Sequence, residues 1–433
     1  MKGERSIEVF LASGPGIALL FSAALILLAG TVLLKQYVEQ RRQPSRYFRL
    51  MLMMNLVTVM LVIIASEIAL RVAVRKELGY EKIGALTLKP NNWENVKVRY
   101  RHLLDDQSVR QSSRLYEYDE LLGWKIKANE QSTNGLYWSS SEGLRAPGPS
   151  ISFGKDTAPT DIALVGDSFT FGDEVRYEET YGAHLERALG SPYRVLNFGV
   201  PGHGLTQVYH RYFRDVRPWK PTVVILGFIS SDIERTMMVY PFLGIPIWSS
   251  TSSKPRVILE NDELKFINLP PIHRDEVLSK ASIDELPFLE YQRGYKQSDW
   301  KEYWYHRSYL VRLFVSWLPA WEPTRPEIGD EALLEINSRL LRGFVESATR
   351  DGSIPLVVFF PSKHELQRPS SSPPLGIQVL QTSGIEYLDA TSCLQAELLS
   401  ELYMPQTHYS PQGNAALAKC VAGAVNEALP KAR

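Results

Sequence analysis

From about residue 160 onward, short apolar runs alternate with longer segments of helical period. The runs 162–165, 194–198, 222–228, 356–360 and 385–388 have strand length. They are rich in β-branched or aromatic residues and end at Gly, Pro, Ser or Asp. Their hydrophobicity is nearly continuous rather than alternating, which predicts parallel strands covered on both faces. The segments 178–189, 205–216, 331–348 and 411–429 read as helices, the last opening on Pro411, a residue suited to a first turn. Strand and helix in alternation predict an α/β fold, a doubly wound parallel sheet of about five strands. Residues 236–330 break the rhythm. They hold many prolines and the aromatics Trp248, Trp300, Tyr303, Trp304 and Tyr305, and they read as a long insertion beside the sheet.

The N-terminal end has a different pattern. Residues 17–34 are uncharged and almost wholly apolar, and a second run, 50–66, continues to residue 70 after one charge, Glu67. Each is long enough to cross a hydrocarbon core, which takes roughly 20 residues. Backbone groups in lipid must be satisfied within the segment, so both runs predict helices and together a transmembrane hairpin. Arg71 lies four residues beyond Glu67, the spacing of a helical ion pair. The connecting loop carries Lys35, Arg41, Arg42, Arg46 and Arg49 against Glu39, which puts it in the cytoplasm and both termini outside. The expected organisation is a membrane hairpin over 1–75, a lead-in segment over 76–150 packed on the main domain, and an α/β domain over 151–433.

Charge and composition exclude several classes. Lysine plus arginine and aspartate plus glutamate each number 48, so no basic footprint for nucleic acid is present. Two cysteines, Cys393 and Cys420, cannot make a zinc site or a disulfide framework, and leave one bridge or two free thiols open. There is no metal-ligand cluster, phosphate loop or dinucleotide fingerprint, so no cofactor is expected.

The chemistry gathers at strand ends. Ile162-Ala163-Leu164-Val165 runs into Gly166-Asp167-Ser168-Phe169-Thr170-Phe171-Gly172, which places a serine at the carboxyl edge of the sheet, where such folds bind ligands. The second strand ends in Asn197-Phe198-Gly199, the third in Ser230-Ser231-Asp232, and His408 stands near the C-terminus in Gln406-Thr407-His408-Tyr409. This set resembles the SGNH (GDSL-type) hydrolase superfamily over roughly residues 116 to 429. The lead-in motifs Tyr118-Asp119-Glu120-Leu121-Leu122-Gly123-Trp124 and Glu142-Gly143-Leu144-Arg145 resemble membrane-anchored bacterial members.

The resemblance implies a flavodoxin-like SGNH fold with Ser168 as nucleophile, His408 as general base and the Gly199 N–H in an oxyanion hole. Two places depart from the pattern. Ser231 stands where the family has an asparagine that donates to the oxyanion. Gln406 and Pro405 stand where it has the aspartate that orients the histidine. Gln406 and Asp389, the latter after the fifth strand, are the candidate substitutes behind His408. Asp167 and Asp232 are further supporting candidates beside Ser168 and Ser231, whereas Asp173 and Glu174 read as a helix-start or surface pair.

The expected function is a membrane-anchored serine esterase or O-acyltransferase acting on acyl groups, acetyl foremost, of a cell-surface polysaccharide or glycolipid. Its partners would be the bilayer, through two spans, and an acylated or acceptor carbohydrate. The location implied is a bacterial inner membrane with the soluble domain periplasmic or extracellular. The alternative is a degenerate, non-catalytic module that binds glycan or protein partners in an export or assembly complex.

Overall fold

Five strands carry the functional part of the chain: β1 (Thr160–Gly166), β2 (Tyr193–Asn197), β3 (Val223–Phe228), β4 (Ile354–Phe359) and β5 (Leu388–Asp389). They form one parallel sheet in the order β5-β4-β3-β1-β2. The strand order reverses at β1, so loops leaving β1 and β3 open a crevice at the carboxyl edge. The structure is a computed structural model that describes residues 30, 37, 46–105, 114–154, 160–245, 252–317, 329–367, 372–395 and 398–429.

Alternation along each strand loads both faces. Ala163, Val165, Val224, Leu226, Val357 and Phe359 pack against α3 (Leu205–Arg211), α5 (Asp330–Arg350) and α6 (Leu375–Ser383). Ile162, Leu164, Val223, Ile225 and Val358 pack against α2 (Tyr181–Leu189) and α7 (Pro411–Ala428). This double burial is the cause of the unbroken apolar runs. The expected α/β doubly wound sheet is therefore present, with three differences. The fifth strand shrinks to two residues at the sheet edge. Helix α6, which the periodicity did not single out, fills the β4–β5 crossover. Residues 212–216 continue from α3 as a wider helical turn.

The chain divides into two compact units, and the division differs from the sequence expectation. One comprises residues 102–295 and 324–433, so the later part of the lead-in segment belongs to the unit that carries the five-stranded sheet. Its hairpin, Tyr116–Asp119 with Gly123–Ile126, is tied down by Trp124 Nε1 donating to Pro201 O and Gln207 Nε2 donating to Leu122 O. The other unit comprises residues 1–101 and 296–323, so the insertion is split between the two. In that unit Trp300 packs edge-on to Tyr80 and Trp93. Trp248 lies outside the described residues.

The same unit contains the long helix Arg46–Ala73, of which Leu52–Ala73 has a mean hydropathy of 2.2 and is exposed or half-exposed along all but Leu70. Glu67 and Arg71 pair at 2.9 Å, as their spacing predicts. This one helix is long and apolar enough to cross a membrane. The other expected span, 17–34, lies outside the described residues apart from Gly30.

The half-buried His210 is expected to make the fold acid-sensitive. His210 packs 4.5 Å from the Phe266 ring, and burial, with Arg214 nearby, pulls its pKa down to about 4. An unfolded histidine titrates near ~6.5, so the unfolded chain takes up the proton first. This contribution to stability is complete above that value and is lost as pH falls from about 6.5 toward 4. Unfolding midpoints at pH 7 and pH 5 should therefore differ, and His210→Phe should reduce the difference. An unchanged slope in the variant would contradict this assignment.

Candidate active site

Strand β1 delivers Ser168 through a turn that needs glycine at Gly166. A Cβ there would stand 2.2 Å from Thr170 Oγ1 and 2.3 Å from Gly227 O, so β1, β3 and the turn close over it. Asp167 caps the short helix α1 (Ser168–Phe171), its Oδ1 accepting from Phe169 N at 2.9 Å. The chain then turns through Gly172 at φ 80° and Glu174 at φ 69°. A non-glycine residue in the left-handed region is uncommon and points to outside constraint.

Here the constraint is His408. Glu174 Oε2 lies 2.8 Å from His408 Nδ1, and the opposite ring nitrogen, Nε2, lies 2.9 Å from Ser168 Oγ. The carboxylate also accepts backbone N–H groups, from His408 on Oε2 and from Gln406 on Oε1, each at 3.1 Å. An ionised carboxylate only accepts, so the Nδ1 facing it carries the proton. Nε2 is then the unprotonated nitrogen, aimed at the Ser168 hydroxyl. This is the acid–histidine–serine relay geometry of covalent acyl chemistry.

The acid is held as firmly as the ring. Tyr137 OH donates to Asp173 Oδ1 at 2.5 Å and accepts from Glu174 N at 2.8 Å. Arg145 lies over the rings of Tyr137 and Phe171, at 4.7 and 5.0 Å, and donates to Val175 O and Leu136 O. Burial pulls the Arg145 pKa down to about 10, still well above neutrality, with Tyr137 and Asp173 opposing the shift. Asp173 Oδ2 lies 4.0 Å from His408 Nε2, so a second carboxylate faces any imidazolium that forms.

Beneath the serine is a buried charge cluster. Arg235 Nη1 contacts Asp167 Oδ2 at 3.1 Å and Asp232 Oδ1 at 2.5 Å, and both carboxylates are wholly buried. Asp232 Oδ2 also accepts from Ile229 N. Burial, and then the facing Asp167, push the Asp232 carboxyl well above the usual carboxylate range, while Arg235 opposes the shift. Asp167 and Asp232 thus brace the nucleophile turn against the β3–α4 turn, where α4 is Ser230–Thr236.

Several sequence expectations need correction. The acid behind His408 is Glu174, six residues after the serine. Asp389 instead caps its own turn, Oδ1 accepting from Thr391 N, and both ring nitrogens of His408 are already engaged by other groups. Gln406 acts through its backbone N–H, with its side chain exposed. The Gly199 N–H donates to Asn197 Oδ1 at 2.9 Å, while Asn197 Nδ2 donates to Thr170 O. Gly199 is therefore a packing residue: a Cβ there would come within 2.4 Å of Phe171 N. Ser231 is exposed on the first turn of α4 and stands outside the Ser168–His408–Glu174 chain. His203 is buried and bonded to Trp124 O. Glu365 accepts from Ser230 Oγ at 2.6 Å.

A cavity of about 700 Å³ opens beside the acid, lined by Tyr116, Ser132, Asn134, Tyr137, Glu174 and Gln406 among others. Its size is in the range of small-molecule sites, and its lining mixes hydroxyl and amide groups with the carboxylates Asp173 and Glu174 and the apolar Leu115, Leu136 and Met404.

Comparison with known proteins gives only distant likenesses. No family model matches the sequence, and no curated protein does. Among solved structures, the chain is similar to a protein of Desulfitobacterium hafniense assigned to the lipolytic G-D-S-L family, at 14% identity and TM-score 0.32, covering 61% of this chain and 99% of that one. A lipase/acylhydrolase of Enterococcus faecalis is similar at 13% identity and TM-score 0.33, covering 64% and 100%. An acetyl xylan esterase is similar at 11% identity and TM-score 0.34, covering 61% and 99%. The strand order, the serine at the β1 turn and the histidine just before α7 are the chain's own features, and they agree with the SGNH (GDSL-type) resemblance carried by the sequence motifs.

Proposed function

We propose that the chain is a membrane-anchored serine esterase or O-acyltransferase that acts on acyl groups, acetyl foremost, of a cell-surface polysaccharide or glycolipid. The observation that carries this reading is the continuous chain from Glu174 through His408 to Ser168. Ser168 Oγ attacks the ester carbonyl while His408 Nε2 takes its proton. The backbone N–H of Ser168, at the first position of α1 and without an intrahelical partner, receives the oxyanion. Glu174, with Asp173 on the other side, stabilises the imidazolium. His408 then protonates the departing sugar oxygen, leaving an acyl-serine. Water completes hydrolysis, and a second sugar hydroxyl completes transfer.

The non-catalytic alternative rested on two missing groups, the oxyanion asparagine and the acid behind the histidine; Glu174 answers the second, and Ser231 leaves the first unmet. Covalent labelling separates the two readings. Purified protein should react with a fluorophosphonate, and Ser168→Ala should not. A folded wild-type protein that stays unlabelled would support the binding-module reading.

Location outside the cytoplasm is supported by the bridge between Cys393 and Cys420, which joins the turn after β5 to α7. Disulfides persist in oxidising compartments. Alkylation of intact cells before lysis should find both cysteines oxidised, and free thiols would place the domain inside. Replacing both by serine should destabilise the unit by about 3.5 kcal/mol on chain-entropy grounds for a separation of 27 residues.

A further inference from the structure

The apolar helix Arg46–Ala73 does not end alone. Glu67, the one acid in its last apolar run, accepts from Tyr309 N at 2.8 Å, from Leu310 N at 3.0 Å and from Ser308 Oγ at 2.8 Å. It thereby satisfies the orphan donors at the start of a second helix, Tyr309–Trp317. Arg71 fixes the same junction, donating to Arg307 O at 2.9 Å and lying 5.0 Å over the Tyr309 ring.

That second helix buries Leu313 in a small apolar cluster with Leu70, Ile83 and Leu88, yet it buries polar side chains on the same side and leaves an aromatic one out. Its polar residues Arg312 and Ser316 point into the protein and are buried. Arg312 pairs with Glu81 and donates to Lys89 O, and Ser316 Oγ accepts from Lys89 N at 2.8 Å. Its outer side presents Phe314, 61% exposed, and the preceding turn presents Trp304, 81% exposed, with Tyr303 stacked on Tyr305. The exposed side chains of Ile64, Ile68 and Val72 on the long helix belong to the same unit. In water this arrangement would expose aromatic surface while burying a guanidinium. At a bilayer interface it is the expected one, because tryptophan and tyrosine settle at headgroup level and in-plane helices bury an apolar face in the acyl boundary.

We propose that residues 303–317 lie in the membrane interface as an in-plane element, pinned by Glu67 and Arg71 to the point where the apolar helix leaves the bilayer. The occupant of this aromatic face is lipid. The proposal rests on the membrane reading of the long helix, and the test separates the two. The full chain, reconstituted in phosphatidylethanolamine–phosphatidylglycerol nanodiscs, is spin-labelled singly at Phe314→Cys, Trp304→Cys, Met60→Cys or Val98→Cys. The native cysteines are bridged to each other and take no label without reductant. Labels at 314 and 304 should collide with oxygen in preference to a nickel chelate several-fold more than the label at 98, and less than the label at 60. If 314 and 304 match 98 while 60 is lipid-immersed, the interfacial element is overturned and the span stands. If all four are equally accessible to nickel, both fail.

Discussion

Glu174→Gln should lower turnover by about 10⁴ while leaving substrate binding and folding largely intact. The expectation follows from what the amide changes. Glutamine can still reach His408 Nδ1, now 2.8 Å from Glu174 Oε2, but it carries no charge and presents either N–H or C=O. An amide N–H there forces the proton onto Nε2, the wrong tautomer for accepting from Ser168. Replacing the acid of a serine protease triad by its amide costs about 10⁴ in turnover for this reason. Asp389→Asn, which removes only a turn cap, serves as the comparison and should leave turnover within a few-fold of wild type. If Glu174→Gln kept turnover while Asp389→Asn lost it, the acid would be misassigned. A loss expressed only in KM would instead make Glu174 a substrate contact in the adjoining cavity.

Arg235→Leu should destabilise the catalytic unit by about 3–5 kcal/mol, the cost of leaving a buried carboxylate without its partner. The guanidinium is the shared counter-charge of Asp167 and Asp232, both wholly buried. Removing one carboxylate as well should return part of the loss, so Arg235→Leu with Asp232→Asn should be more stable than Arg235→Leu alone. Thermal unfolding in detergent solution measures both. A single variant that unfolds within about 1 kcal/mol of wild type, or a double variant worse than the sum of its parts, would contradict the pairing.

The fold was legible in the sequence because a doubly covered sheet writes itself as unbroken apolar runs. Strands β1 to β4 appear within two residues of their expected limits. Strand β5 is short because only its last residues pair with β4. The Ser168–His408 pair, 2.9 Å apart and proposed as nucleophile and base, was legible because each residue sits at a fixed place in the fold, at the end of β1 and just before α7. The acid was not. Glu174 and His408 are 234 residues apart, and Asp173-Glu174 beside a glycine has the local look of a solvated turn. The usable signal was proximity: an acid six residues after the serine, across a glycine, is on the nucleophile's own loop. The Gly199 N–H was misjudged for a different reason. Asn197, two residues earlier, takes that donor, and local side-chain competition of this kind has no signature in a motif. The helix Tyr309–Trp317 was hidden because Arg312 and Ser316 share its buried side with Leu313 while Phe314 is exposed, a mixed pattern rather than the clean apolar stripe a soluble helix presents.

The central claim is that Ser168 is an activated nucleophile, deprotonated by a histidine that Glu174 orients. The most direct measurement is the rate and site of fluorophosphonate modification at pH 7.5 in wild type, Glu174→Gln and Ser168→Ala, with the adduct located by peptide mass spectrometry. The account predicts one adduct, on Ser168, forming rapidly in wild type, orders of magnitude more slowly in Glu174→Gln and not at all in Ser168→Ala. A folded wild-type protein that forms no adduct, or one whose adduct forms equally fast without the Glu174 carboxylate, would contradict it.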